Sequence, residues 1–515
     1  MSSQKDFSNH GIFFSVISYL SHVSDSVYIA LILGFASCVL LTGIITNFRL
    51  LVLLFMILWF FLWVKLKDLV LSSFLTTLFS LQFYAPNKYY IQEIIRGGDM
   101  LLPLYGGGYY LGYGANVANI FIVFTLAFLI KEVIQKQAFR SLLSYGIVSV
   151  VLVCATGFFI TGFITSVSKS LFVALSVTWL IQYMQMFLLA LLTLSIFLFK
   201  RKQFNVVYVV VLCSALFQFV LAGLQFLRQS PIGNPVEQIR GPGSFATGLD
   251  EINAIYRVAG SFAFHNQLAL IMLIFFIILL PYILKKRYQP HLASLFFIFV
   301  TIILTQSRSV WIATGITVLL ALRMLRKEIR NFSKRFYWPK IIIYFFVGLT
   351  SLSYVIIPRI LLSFNAIYEG AGIPIRMRLL SEAFPLFLLR PWFGYGVGTN
   401  EYVMSSQNLN SVMFVFPTAA HLGILQLLLE VGLIGVLFFL FPFLYIFRGL
   451  VNAKTTHIHK PDLFGYTFRF IAGSTAFFLY YLFLPHVGII EFAYLGIILG
   501  TGCIALTLVN EQKRA

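Results

Sequence analysis

The chain has 515 residues, of which 60% are hydrophobic and only 10% are charged, and its formal net charge is +20. Soluble domains contain roughly 45–50% apolar and about 25% charged residues, so this composition excludes an ordinary soluble protein and indicates an integral membrane protein. The positive charge alone would also suit a nucleic-acid partner. Because the basic residues concentrate in alternate loops, membrane topology explains the charge, and we expect no nucleic-acid partner.

The apolar residues occur in blocks, many of them long enough to cross roughly 30 Å of hydrocarbon as a helix of about 20 residues. A spanning segment must satisfy its own backbone, and the alternating pattern of membrane β-strands is absent. The sequence predicts an all-α, polytopic transmembrane bundle of about 12–14 spans, whose large outer loop carries short amphipathic helices. We place fourteen spans at 28–45, 49–65, 68–85, 114–131, 142–163, 172–199, 205–227, 265–284, 291–306, 309–324, 340–358, 422–447, 466–484 and 487–508, and an interfacial helix at Gly11–Ser24.

Lysine and arginine concentrate in alternate loops, which places those loops and both termini in the cytoplasm, beside the anionic lipids of the inner leaflet. The opposite, outer face receives the polar segments 86–113, 228–264 and 359–421. The chain thus divides into an N-terminal transmembrane bundle (1–227), a central region with outer loops 228–264 and 359–421 (228–447), and a C-terminal transmembrane hairpin with a cytoplasmic tail (448–515). The four cysteines lack metal-type spacing and predict neither a disulfide nor a metal site.

Four arginines fall on the predicted outer face: Arg257 in YRVAGSFAFHNQLAL, Arg308 in TQSRSVW, and Arg376 and Arg378 in IPIRMRLL. A single arginine on this face is equally explained by a side chain that reaches toward lipid headgroups. Several on one face favour a binding site, because guanidinium binds phosphate oxygens through a bidentate fork and stays charged at physiological pH. Such a cluster suits a diphosphate that is anchored in the membrane.

His421 lies where the long outer loop becomes an apolar helix. Its imidazole suits a general base for an attacking sugar hydroxyl, although a purely structural role at the start of the helix is also open. Glu430 lies nine residues further along, where it either pairs with an arginine or forms a buried carboxylate that is hydrogen-bonded to a neighbouring helix. Asn266, with His265, begins a span and can cap it.

Apolar residues at helical spacing in 376–390 predict a short amphipathic helix that lies on the membrane. Pro391 and the glycines of PWFGYGVGTN end this helix and predict a flexible turn. The glycines do not follow a strand, which excludes a soluble nucleotide-binding fold at this position.

Four ordered pieces of the region 257–435 resemble the bacterial O-antigen ligase and polymerase family. They are YRVAGSFAFHNQLAL, TQSRSVWIA, RMRLLSEAFPLFLLRPWFGYGVGTNEY and AHLGILQLLLEVGLIG. The chain departs from the family pattern at Leu422, where a polar residue usually follows the histidine, and at His265, where proline is common.

The resemblance implies a metal-independent glycosyltransferase of the bacterial cytoplasmic (inner) membrane, with no cofactor and an active site that faces the periplasm or cell exterior. Its donor would be a glycan on undecaprenyl diphosphate, attacked at the anomeric carbon with inversion. Arg257, Arg308 and Arg376 would hold the diphosphate, with Arg378 as a substitute for Arg376, and His421 would activate the acceptor. Glu430 and Asn266 are candidates for supporting roles, and flippase and chain-length regulator proteins are candidate partners.

The resemblance leaves two acceptors open. A polymerase extends the chain on another lipid-linked repeat unit, whereas a ligase transfers the finished glycan to lipid A–core. The fourteen predicted spans, more than family ligases usually have, and the large outer loops favour the polymerase, whereas the spacing from His421 to Gly435 favours the ligase. A lipid-linked oligosaccharide flippase or secondary transporter is the alternative from another class, but it predicts internal repeats that we do not find.

Overall fold

The computed structural model describes residues 24–45, 48–83, 117–137, 142–169, 173–233, 246–247, 255–262, 264–286, 289–333, 357, 373–400, 403–404, 423–453, 461–483 and 489–514. These residues form an all-α polytopic bundle with one small antiparallel pair of strands, β1 (Ala246–Thr247) and β2 (Ile255–Tyr256). The helices are α1 (Asp25–Leu41), α2 (Phe48–Leu66), α3 (Leu69–Ser80), α4 (Val117–Gln135), α5 (Gly146–Lys169), α6 (Val173–Phe199), α7 (Val206–Arg228), α8 (His265–Lys286), α9 (Gln289–Leu304), α10 (Arg308–Met324), α11 (Arg326–Ser333), α12 (Ile373–Leu389), α13 (Gly423–Ala453), α14 (Pro461–Phe483) and α15 (Ile489–Arg514).

Thirteen of the fourteen predicted spans coincide with helices, and the fourteenth, 340–358, lies outside the described residues apart from Ile357. Within the described part of the chain, eight helices are long and apolar enough to cross a membrane: α2, α4, α5, α6, α7, α8, α13 and α15. The remaining predicted spans fall on helices that are shorter or less apolar. The predicted interfacial helix Gly11–Ser24 lies outside the described residues, apart from Ser24.

Helix α15 forms the centre of the bundle. All its residues from 490 to 509 are buried, whereas only 28% of the apolar segment of α2 is buried, so α2 presents apolar side chains outward. Helix α6 packs along α15 at close range, because α15 carries glycine where the two backbones meet. A Cβ added at Gly496 would overlap the carbonyl oxygen of Met186. Small residues at such contacts are how membrane helices approach one another closely.

Charged side chains join several helices at one end of the bundle. The Nζ of Lys200, just after α6, lies 2.6 Å from Asp68 Oδ2 at the start of α3 and 2.9 Å from Glu132 Oε1 near the end of α4. Arg201 lies 3.5 Å from Glu511 at the end of α15. These contacts bring together four chain segments that the alternation of basic loops assigns to one side of the membrane.

Replacing Gly496 with alanine should destabilise the bundle. The new Cβ would overlap the backbone of α6, and overpacking of this kind costs about 1–3 kcal/mol. We therefore expect a lower midpoint of thermal unfolding in detergent. Gly223→Ala in α7 is the matched control, because an added Cβ there would meet no neighbouring atom of the described residues within 4 Å and alanine favours helix. An equal midpoint for Gly496→Ala and the control would contradict the close α6–α15 contact.

Candidate functional site

Helix α13 corresponds to the predicted span 422–447, which follows the outer loop 359–421. The helix is interrupted at Gly432. Gly432 has φ 63° and ψ −173°, a conformation that residues with a side chain rarely adopt. A Cβ at this position would overlap the carbonyl carbon of Trp392 and the nitrogen of Phe393. The break therefore brings another backbone segment into direct contact with the helix.

That segment is the turn Pro391–Asn400, which we name the inserted turn. The N–H of Leu433 donates to the carbonyl of Pro391 at 2.8 Å, and the N–H of Ile434 donates to the carbonyl of Trp392 at 3.2 Å. In a continuous α-helix both groups would donate to carbonyls four residues earlier in α13 itself. The inserted turn thus replaces two acceptors of the helix.

The same turn also supplies the donors that the helix lacks. The N–H of Tyr395 donates to the carbonyl of Leu429 at 2.7 Å, and the N–H of Gly396 donates to the carbonyl of Glu430 at 3.0 Å. These are the two carbonyls that an unbroken α13 would pair internally. The sequence predicts a flexible turn here, but four backbone hydrogen bonds to α13 fix it.

The glycines of the inserted turn are required by its close contacts. Gly394, Gly396 and Gly398 have φ values of 72°, 114° and 71°, which favour glycine over other residues. A Cβ at Gly394 would lie 2.5 Å from the carbonyl oxygen of Leu429, and one at Gly398 would lie 2.6 Å from the ring of Trp179. The spacing of these glycines in the sequence is the signal that could have predicted the insertion.

Two hydroxyl groups anchor the other side of the inserted turn. Thr165 Oγ1 in α5 donates to the carbonyl of Phe393 at 3.0 Å, and Ser176 Oγ in α6 donates to the carbonyl of Val397 at 2.7 Å. The turn is therefore held between α5, α6 and α13. Neither hydroxyl has a sequence motif of its own, so sequence reasoning missed both.

Glu430 lies beside the break and is completely buried. Its carboxylate accepts hydrogen bonds from Tyr183 Oη at 3.1 Å, Asn400 Nδ2 at 2.5 Å and Gln426 Nε2 at 3.1 Å, and from the N–H of Gly398. Of the two sequence-based interpretations, the structure supports a buried carboxylate that is hydrogen-bonded to a neighbouring helix. No arginine is among the hydrogen-bond partners of Glu430 within the described residues.

Arg257 and Arg308 lie in adjoining segments. Arg257, which is half-buried, directs its Nε toward the carbonyl of Thr305 at 3.5 Å and its Nη2 toward the carbonyl of Gln306 at 3.4 Å. Arg308 begins α10 two residues after Gln306 and is exposed. The structure thereby brings two of the four sequence-predicted arginines to one turn.

The backbone that carries Arg257 is irregular and buried, so it needs hydrogen-bond partners from the bundle. Gln225 of α7 accepts from the N–H of Gly260 at 2.8 Å and donates to the carbonyl of Gly260 at 2.9 Å. Gln218 of the same helix accepts from the N–H of Ser261 at 3.1 Å and donates to its Oγ at 2.6 Å. These two glutamines, which sequence reasoning missed, hold the loop that positions Arg257.

The other predicted site residues lie elsewhere. Arg376 and Arg378 lie in α12, which packs its apolar face against α13. Arg378 is exposed and forms an ion pair with Glu382 at 3.2 Å. Asn266 is half-buried in the first turn of α8, and His421 lies outside the described residues. Among the residues that the structure describes, no three His, Cys, Asp or Glu side chains are grouped to hold a metal ion.

The family model described as O-antigen ligase matches residues 293–440. The match begins in α9 and ends shortly after the break in α13, so it contains the turn of Arg308, helix α12 and the inserted turn. Arg257 precedes the matched segment, but its guanidinium contacts the backbone at Thr305 and Gln306 inside it. No curated protein sequence matches the chain significantly.

Replacing Gly432 with alanine should displace the inserted turn. The positive φ alone costs about 1–3 kcal/mol for a residue with a Cβ, and the Cβ would also overlap the backbone of Trp392. We expect a lower midpoint of thermal unfolding and faster amide hydrogen exchange at 391–400. Gly315→Ala in α10, where an added Cβ would meet no neighbouring atom of the described residues within 4 Å and alanine favours helix, should neither lower the midpoint nor speed this exchange. Unchanged exchange in Gly432→Ala would show that the insertion does not depend on this glycine.

Proposed function

We propose that this chain, which over residues 293–440 belongs to the O-antigen ligase and polymerase family, polymerises undecaprenyl-diphosphate-linked oligosaccharide repeat units at the outer face of the cytoplasmic membrane. The family match supports a glycosyl-transferring enzyme that acts on lipid-linked glycans. The eight long apolar helices support a multi-pass membrane protein. The choice of polymerase, the outer-face orientation and the roles of individual residues are the parts that we propose.

The observation that carries the proposal is the proximity of Arg257 to the turn that begins with Thr305 and ends at Arg308. Guanidinium groups bind phosphate oxygens with two parallel hydrogen bonds, and they keep their charge at any physiological pH. Two of them on adjoining segments suit a diphosphate, whose two phosphoryl groups are neighbours. The buried glutamines of α7 hold the backbone of the loop that carries Arg257.

In the proposed reaction an acceptor hydroxyl attacks the anomeric carbon of the donor sugar from the face opposite the diphosphate. A new glycosidic bond forms, the bond from the anomeric carbon to the phosphate oxygen breaks, and the configuration inverts. The diphosphate leaves with the bonding electron pair, and Arg257, Arg308 and Arg376 stabilise its negative charge. His421 accepts the proton of the hydroxyl. Positioning and electrostatic stabilisation of the leaving group supply the catalysis, without a metal ion.

A ligase activity is the second candidate, favoured by the description of the matching family model and by the spacing from His421 to Gly435. The donor, the departing diphosphate and the arginines would have the same roles in both reactions. Only the acceptor differs: a lipid-linked repeat unit in the polymerase, and lipid A–core in the ligase. The two activities are therefore distinguished by their products.

Replacing Arg308 with alanine should abolish the polymer, so that single repeat units remain. Loss of one group that stabilises developing charge costs about 10²–10³-fold in rate. The measurement is the length distribution of surface glycans in a strain that carries Arg308→Ala, with expression and membrane insertion verified. Arg323→Ala, an exposed arginine near the other end of the same helix, is the matched control and should preserve wild-type glycan.

The other results of this experiment are equally informative. Accumulation of lipid-linked polymer without transfer to lipid A–core would replace the polymerase with the ligase. Wild-type amounts and lengths of surface glycan in Arg308→Ala would contradict the role of Arg308 and favour a transporter or flippase.

The effects of replacing Arg257 and Arg308 on activity should not be independent. If both hold one diphosphate, Arg257→Ala and the double variant with Arg308→Ala should each lose activity, and the double variant should lose less than the product of the two single effects. Rates of repeat-unit transfer in isolated membranes measure this. Independent, multiplicative losses would place the two arginines at separate steps.

A further inference from the structure

The carboxylate of Glu430 is surrounded by donors. Tyr183 comes from α6, Gln426 from the preceding turn of α13, and Asn400 and Gly398 from the inserted turn. An ionised carboxylate has two oxygens with about four lone-pair positions, and it only accepts. The four donors therefore match the capacity of one carboxylate, and they join three separate parts of the chain.

We propose that Glu430 is a positioning residue for the glycosyl transfer, fixing the inserted turn in the break of α13. The inference rests on the proposed function and adds a residue that acts through the turn rather than on the substrate. Glu430 is 0% exposed, so its side chain does not reach a substrate at the surface. Its effect passes through the turn, whose second half it holds by the Gly398 N–H and the Asn400 amide.

The inserted turn is well placed to transmit that effect. Along the chain it lies between α12, which carries Arg376 and Arg378, and the segment 401–422, which contains His421. Helix α12 also packs its buried face, including Leu379 and Ala383, against α13. The end of α12 and Asn400, the last residue of the inserted turn, are therefore held against α13, beside Glu430.

The backbone hydrogen bonds of the turn do not make Glu430 redundant. The four bonds to α13 involve Pro391, Trp392, Tyr395 and Gly396, which form the first part of the turn. The last part, Gly398 to Asn400, contacts α13 through the side chain of Glu430. Without this carboxylate, buried donors from the turn, α6 and α13 would lack their acceptor, and such donors are costly to leave unpaired.

Glu430→Gln tests the inference, because it keeps the shape of the side chain and replaces an acceptor with an amide donor. Purified protein in lipid nanodiscs is assayed with an undecaprenyl-diphosphate-linked repeat unit. We expect kcat to fall by about 10–100-fold, because small misplacements of catalytic groups cost this much. KM for the donor should change less than kcat does, because Arg257 and Arg308, two of the three arginines proposed to hold the diphosphate, belong to other segments.

The double variant Glu430→Gln with Asn400→Asp provides the rescue. It exchanges the amide and the carboxylate, so that the new amide donates to the new carboxylate, and kcat should recover to within about 5-fold of wild type. Glu491→Gln is the control: Glu491 is another completely buried carboxylate, hydrogen-bonded to Tyr480 at 3.5 Å in the α14–α15 pair. It should lower the unfolding midpoint without changing kcat per folded molecule.

Unchanged kcat in Glu430→Gln, an equal loss in Glu491→Gln, or no recovery in the exchange variant would overturn the inference. Amide hydrogen exchange gives a readout that does not depend on the reaction. In Glu430→Gln the amides of 391–400 should exchange at least about 10-fold faster, while those of α15 keep the wild-type rate. Absence of glycosyl transfer in the wild-type protein would refute the proposed function, whereas equal exchange at 391–400 in wild type and Glu430→Gln would refute the positioning.

Discussion

A peptide group without a hydrogen-bond partner is far more costly in a hydrocarbon environment than in water, and this constraint explains the most unusual feature of the molecule. Helix α13 breaks at Gly432, and the inserted turn supplies both the donors and the acceptors that the break removes. Four peptide groups of α13 keep partners as a result. The break in α13, the glycines and the inserted turn therefore depend on one another.

The same constraint governs the loop of Arg257. Its irregular backbone is buried in the bundle, and Gln218 and Gln225 of α7 provide its hydrogen-bond partners. The guanidinium of Arg257 is directed toward the carbonyl groups of Thr305 and Gln306, in the turn that ends at Arg308. Polar side chains in the spans thus hold the non-helical segment that carries Arg257.

These two irregular regions divide the proposed work between them. In the proposed reaction the arginine region would present positive charge to the diphosphate of a lipid-linked donor, and Glu430 would hold the inserted turn that follows α12. We therefore propose different parts of the fold for binding the donor and for aligning the acceptor.

The composition and the apolar blocks determined the membrane class, the helical architecture and the approximate bounds of thirteen helices, because spacing and hydrophobicity are local properties. The sequence also identified the four arginines and Glu430 as candidates, because ionisable residues in or beside apolar segments are energetically costly. Only the tertiary structure decided their neighbours. Arg257 lies beside the turn of Arg308, and Glu430 accepts from Tyr183, which is 247 positions distant in the chain, with no arginine among its hydrogen-bond partners in the described residues. Pairings between distant segments depend on how helices pack and on which backbone groups a break leaves unsatisfied, and neither is encoded in any single stretch of sequence.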